Sequence, residues 1–183
     1  MLIVGAPGSG KTFALQAIER AARTGPPRQG YHRPRFVIHD LMGHWSPAPG
    51  RTIVVSDEPE EACAAAIDLA PCTLVMDEIA LGLPSDSPPK KGSAMKEILF
   101  VGRQARHVGR WKRRGPVGLL AAAQRPATVH PSLRGLLNRL YVGHFPPTAV
   151  NDLEWIEKAT SPDVAARVPT LRFGEFIALE LNP

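Results

Sequence analysis

The eight residues Gly5-Ala6-Pro7-Gly8-Ser9-Gly10-Lys11-Thr12 constrain this chain more than any others. They fit the pattern G-x-x-x-x-G-K-[ST]. The apolar run Leu2-Ile3-Val4 precedes them, and a stretch with apolar residues at Leu15, Ile18 and Ala22 follows. A buried strand that turns at once into a helix through a glycine-rich loop can aim successive backbone N–H groups at one anion, and the helix adds its positive end. In such a loop Gly5, Gly8, Ser9 and Gly10 shape a phosphate cradle. Lys11 reaches the β and γ phosphates, and Thr12 offers its hydroxyl to Mg²⁺.

The rest of the chain continues that alternation. Phe36-Val37-Ile38, Thr52–Val55, Cys72–Met76, Val117–Ala123 and Leu140–Val142 read as short buried strands. Between them the pattern predicts helices: Thr12–Arg23, a second through Ala64 to Leu69 capped by Ser56 or Asp57, Ala94 to about His107, Leu133–Asn138 and Val150–Ala159. Leu83–Ser93, with its prolines, reads as an exposed loop, and Arg172–Ile177 as a terminal hairpin or edge strand. Strands alternating with helices give an α/β class with a mostly parallel central sheet flanked by helices. The 183 residues suffice for one such domain, 1–183, without a disulfide or metal staple. No apolar run approaches the 18 or so residues of a membrane span. Cys63 and Cys72 match no zinc or redox spacing and read as small core residues.

The strand Cys72–Met76 runs into Asp77-Glu78. Downstream of a complete phosphate loop, a strand-end aspartate is placed to hold Mg²⁺, and a neighbouring glutamate can polarise water as general base. Gln124 ends the strand that starts at Val117, where open α/β sheets bind ligands, and could sense the γ-phosphate. Asp40, ending the second strand, is a further acid near that edge.

Gly118-Leu119-Leu120-Ala121-Ala122-Ala123-Gln124-Arg125-Pro126, with Gly102-Arg103-Gln104-Ala105-Arg106-His107-Val108-Gly109 upstream, resembles the HerA–FtsK superfamily of DNA-pumping ATPases, in which an R-x-x-G and an A-T-Q-R-P run follow the acidic strand. The phosphate loop, Asp77-Glu78 and Gln124-Arg125-Pro126 stand in the family's order over about residues 2 to 145. The short form looks most like the genome-packaging ATPases of tailless, membrane-containing icosahedral viruses. The resemblance implies a RecA/ASCE-type P-loop NTPase that uses ATP and Mg²⁺. Thr12 and Asp77 would hold the metal, Glu78 would activate water and Gln124 would sense the γ-phosphate. It also implies a homo-oligomeric ring, with a hexamer as the expected size, in which an arginine is offered to the next subunit's nucleotide. Arg106 has the family spacing to Gly109 and Arg103 is the second choice. Two departures stand out. Ala123 replaces the family threonine, and Arg110–Pro116 intervenes before the sensor strand and blurs the register of the arginine.

Charge sharpens the choice of partner. The chain carries +5 overall, yet nine basic residues and a single acid, Glu97, lie between Lys90 and Arg114. A localised basic segment of this kind, here the loop and insertion of about residues 84–116, suits a polyanion. Lys90, Lys91, Arg110, Lys112, Arg113 and Arg114 are the residues expected to meet double-stranded DNA through its phosphates, while Trp111 between them reads as packed into its own domain. The implied role is a translocase that packages a viral genome into a capsid. It would work in the infected host's cytoplasm, against a capsid or membrane vertex protein. The alternatives are an export or conjugation-type ATPase of the same superfamily, a nucleotide-switched DNA-binding assembly module, and a small-molecule P-loop kinase.

Overall fold

The computed structural model describes residues 1–26, 34–84, 86, 90–100 and 115–181. Seven strands of the described residues form one sheet: β1 (Leu2–Val4), β2 (Phe36–His39), β3 (Arg51–Val54), β4 (Cys72–Met76), β5 (Val117–Ala123), β6 (Arg139–Val142) and β7 (Ile177–Glu180). Their order is β3-β2-β4-β5-β1-β6-β7. β1 pairs in parallel with β5 and β6, and β2 with β3 and β4, while β7 runs antiparallel to β6. The helices are α1 (Lys11–Thr24), α2 (Pro59–Leu69), α3 (Ala94–Phe100), α4 (Val150–Ala159) and α5 (Pro162–Arg167). The expected α/β fold with a mostly parallel sheet is therefore present. Among the described residues no helix is long and apolar enough to cross a membrane.

The chain divides into two compact units. The first comprises Met1–Leu15, Glu78–Pro88 and Ala121–Pro183. Its centre is β1, whose three residues are fully buried, in register with Ala121, Ala122 and Ala123 on one side and Leu140, Tyr141 and Val142 on the other. Alanines opposite bulky side chains let the layers interdigitate. Each fully buried Leu, Ile or Val contributes about 1.5–3 kcal/mol. The second unit comprises Gln16–Asp77 and Pro89–Leu120. Its core is built from β2, β4 and the buried face of α2, where Ala62, Cys63, Ala66 and Ile67 pack. Both cysteines are buried as expected, and burial pushes the Cys63 thiol up to about 12 and the Cys72 thiol to about 11.

Several elements depart from the sequence pattern. α2 is capped neither by Ser56 nor by Asp57. Its N-cap is Glu58, and the Ser56 hydroxyl instead accepts the Glu58 amide at 3.0 Å. Glu60, expected at the dipole end of its own helix, accepts the amides of Ala94 and, at 3.3 Å, Met95, so it caps α3. The α1 face that turns inward runs Leu15, Glu19 rather than Leu15, Ile18, Ala22, because two arginines satisfy Glu19. Arg51 Nε and Nη2 reach its carboxylate at 2.9 and 2.5 Å, and Arg23 Nε reaches it at 2.9 Å. Residues Pro131–Leu136 make a 3₁₀ turn where the pattern predicts an α-helix. The loop expected at Leu83 starts anchored. Leu83 is fully buried, its carbonyl accepts the His130 amide at 2.9 Å, and Pro84 bridges to Val129. α3 ends its described span at Phe100, and the continuation expected to His107 lies outside the described residues. The edge strand is β7, which begins at Ile177 where the expected segment ends, and Arg172–Glu175 forms a turn. α5 carried no sequence expectation. Its N-cap Ser161 accepts the Val164 amide at 3.3 Å.

Candidate functional site

The phosphate loop lies in the first unit, between β1 and α1. Gly8 and Gly10 adopt φ of +76° and +91°, a region costly to any residue with a Cβ. At Gly5 the need is for space, since a Cβ there would lie 2.4 Å from Ser9 Oγ. The loop is fixed at both ends. The Ala6 amide donates to the His144 carbonyl at 2.9 Å, and the Ser9 carbonyl accepts the Gly174 amide at 3.2 Å. Lys11 is 7% exposed, and its ammonium donates to the Ala6 carbonyl at 3.0 Å, so it is folded back over the loop it belongs to. Ser9 Oγ is buried without a hydrogen-bond partner in the protein. A buried cation, an orphaned hydroxyl and a glycine cradle together fit a phosphate chain with its counter-ion.

The two acids after β4 have different partners, as alternation along an extended chain requires. Asp77, in the second unit, lies 3.9 Å from His44 Nδ1, an ion pair when that ring is protonated. Glu78, in the first unit, accepts the Ala80 amide through Oε1 at 3.3 Å and the Gln124 amide through Oε2 at 2.9 Å. Glu78 thereby positions the end of β5. Gln124 is exposed, its amide held in this way and its side chain on a cleft of about 400 Å³. Ala6 and Pro7 of the loop, Arg125, Phe145 and the first turn of α4 also line this cleft. Asp152 of that turn has its carboxyl raised above the usual range by burial, against the Ala127 amide and the Arg125 charge, which act the other way.

Of the residues expected from sequence, Gly5, Gly8, Ser9, Gly10, Lys11, Thr12, Glu78 and Gln124 are gathered in the first unit and Asp77 stands in the second. Lys90 and Lys91 are exposed in the second unit. Arg103, Arg106, Arg110, Trp111, Lys112, Arg113 and Arg114 lie outside the described residues. Asp40 is only 3% exposed, and its two oxygens accept the amides of His44 and Trp45, each at 2.9 Å, so its carboxylate builds the turn after β2. Sequence reasoning missed His44 beside Asp77 and the Arg172–Glu175 turn beside Ser9. The signal for the turn was present, since Gly174 follows an aromatic inside a charged run.

The chain matches the family described as ATPase family associated with various cellular activities (AAA) over residues 1–143. No curated protein matches it in sequence. Its backbone is similar to that of the genome packaging NTPase B204 from Sulfolobus turreted icosahedral virus 2. In the sulfate complex the TM-score is 0.72 at 20% identity, over 99% of this chain and 90% of that one. The complex of the same protein with AMPPCP gives 0.72 at 19% identity, over 98% and 90%. The pCW3 conjugation coupling protein TcpA, with ATPgS, gives 0.60 at 17% identity, over 98% of this chain and 56% of that one. At these identities the likeness establishes the fold.

Proposed function

This chain belongs to the ATPase family associated with various cellular activities, and from that premise we propose that it is an ATP-driven translocase of double-stranded DNA that packages a viral genome. Its being an ATPase follows from the family. The coupling to DNA, and to packaging in particular, is our reading. The observation that carries it is the 2.9 Å bond from the Gln124 amide to Glu78, which joins a water-activating carboxylate to the strand end expected to sense the γ-phosphate. A motor needs hydrolysis gated by the state of the nucleotide. The likeness to a packaging NTPase over 99% of this chain supports the biological assignment.

In this reading Lys11 and the amides of the Gly5–Thr12 loop bind the triphosphate of ATP. Thr12 offers a hydroxyl and Asp77 a carboxylate to Mg²⁺, which when bound neutralises charge on the phosphates. Glu78 accepts a proton from the attacking water, and Gln124 orients that water against the γ-phosphate. Arg106, or failing it Arg103, serves the neighbouring subunit of a hexameric ring. Lys90, Lys91, Arg110, Lys112, Arg113 and Arg114 meet the phosphates of the duplex, without reading its sequence. The ring works in the host cytoplasm against a capsid or membrane vertex protein, and residues 1–183 act as one ATPase domain.

The test is ATP hydrolysis with and without long double-stranded DNA, at low and high salt, beside Glu78→Gln. Stimulation by DNA that fades as salt rises, and turnover lowered about 10²–10⁴-fold in Glu78→Gln, are the expected results. Phosphate transfer to a small acceptor, indifferent to DNA, overturns the reading in favour of a kinase. Tight ATP binding with no turnover under any of these conditions overturns it in favour of a nucleotide-switched assembly module. A DNA motor that fails to fill capsids in an encapsidation assay moves the assignment to the export or conjugation class.

A further inference from the structure

The most exposed aromatic side chains among the described large hydrophobics stand at one end of the phosphate loop. Phe173 is 74% exposed and Phe13 is 71% exposed. Leaving a phenyl ring in water forfeits about the 1.5–3 kcal/mol that burial would contribute. Yet the fold holds Phe173 firmly. Its turn is closed twice, by the Glu175 amide donating to the Arg172 carbonyl at 3.0 Å and the Arg172 amide donating to the Glu175 carboxylate at 2.8 Å. Gly174, at φ +78°, lets the chain reverse, and its amide fastens the turn to the Ser9 carbonyl at 3.2 Å. The tip of the Phe173 ring lies 3.6 Å from where a Cβ on Gly10 would stand, and the backbone of Gly174 lies 3.4 Å from it. The turn therefore packs against the loop at ordinary contact distance.

The two ends of the loop differ in character. Ala6 and Pro7, at the start, line a cleft with Gln124 and Arg125, the side on which the γ-phosphate sensor is expected. Gly10 to Phe13, at the end, open α1, and the Phe173 turn stands against Gly10 there. An aromatic ring at this end, fixed but uncovered, is a surface for a flat π-system.

We propose that Phe173 and Phe13 form an aromatic platform for the purine base of the nucleotide whose phosphates the loop binds. This rests on the reading of Gly5–Thr12 as a nucleotide triphosphate site. It adds that the base is recognised by stacking on its face. The chain therefore accepts purines with little regard to their edge substituents, because a phenyl ring has no donor or acceptor with which to tell adenine from guanine.

The experiment is calorimetric titration of the full chain with ATP, GTP and inorganic tripolyphosphate, for the wild type, Phe173→Ala, Phe13→Ala and Lys11→Ala. Thermal melts verify that each variant is folded. Phe173→Ala is expected to weaken ATP and GTP alike by roughly 5- to 150-fold, the range for loss of one base–aromatic stack, and Phe13→Ala by a smaller factor. Tripolyphosphate, which has no base, should bind both variants as it binds the wild type. Phe173→Trp keeps the stacking surface, so it should retain ATP affinity, and its added fluorescence should be quenched by ATP and not by tripolyphosphate. Equal weakening of ATP and tripolyphosphate in Phe173→Ala overturns the proposal and makes Phe173 a prop for the loop. Unchanged ATP binding in both phenylalanine variants overturns it as well, with the phosphate site left standing. Failure of the phosphate reading looks different: Lys11→Ala then weakens neither ATP nor tripolyphosphate.

Discussion

Asp40 and Glu78 occupy similar places in the chain, each just beyond a buried strand, and each carboxylate accepts two backbone amides. The difference is where those amides come from. Asp40 takes its own turn, His44 and Trp45, both at 2.9 Å, and is almost wholly buried. Glu78 takes one weak local bond from Ala80 and a good one from Gln124, 46 residues along the chain, and it is only half-buried. The first carboxylate shapes a loop. The second ties two strand ends together and is partly exposed. A strand-end acid is therefore assigned to chemistry by its partners and its exposure, not by its place in the sequence.

The comparison can be broken most severely at Glu78. Glu78→Gln keeps an acceptor for the Gln124 amide and removes the base, so turnover should fall by about 10²–10⁴-fold, the usual worth of a general base. ATP binding and the melting temperature should stay near those of the wild type, and single-turnover kinetics beside a nucleotide titration would check this. If Glu78→Gln instead unfolds the chain, Glu78 belongs with Asp40.

A third carboxylate sharpens the contrast. Glu19 is fully buried and held by Arg51 and Arg23. Glu19→Gln should cost about 3–5 kcal/mol in urea denaturation, because it leaves a buried guanidinium without its counter-charge. Arg51 also stacks over Trp45, its guanidinium 5.4 Å from the ring, which fixes the charge in place. Asp40→Ala should cost less, about 1–3 kcal/mol for the amides it leaves without an acceptor. Turnover per folded molecule should be preserved. Loss of turnover at full stability would move Asp40 to the chemical side of the comparison.

The smallest expected effect is a pH dependence. Burial alone would raise the Glu19 carboxyl, but hydrogen bonds and charge from Arg51, then Arg23, hold it below its ordinary value of 4.5. A carboxyl lowered in the native state favours folding above its unfolded value and loses that contribution as pH falls through the native value. Stability of the wild type should therefore drop more steeply below about pH 4.5 than that of Glu19→Gln. Denaturant midpoints measured from pH 6 to pH 3 on both proteins, numbers of the order set by linkage, would detect the difference in slope.

Local sequence made much of this legible. Gly8 and Gly10 are dictated by backbone sterics, Lys11 and Thr12 are read from the chemistry proposed for phosphate and metal, and Leu2-Ile3-Val4 is dictated by the need to bury a parallel strand on both faces. Each of these signals lies within a few residues, so no tertiary context is needed to read it. The positions of β1 to β6 followed from the same short-range patterns. Two segments were misread. Pro131–Leu136 winds as a 3₁₀ turn, and the Arg172–Glu175 turn, closed by its own bonds, is fastened to the Ser9 carbonyl through the Gly174 amide.

Sequence alone thus determined the phosphate loop, the strand–helix alternation and the set of acids and amides at the strand ends. Only the tertiary structure decided which of those acids are held by the fold. It gave Asp40 to its own turn, Glu19 to two arginines, Glu60 to the amides of α3 and Glu78 to Gln124. The physical reason is that a carboxylate carries the same charge and the same lone pairs wherever it stands. Its role is set by the donors that folding brings to it and by how much water they leave in reach.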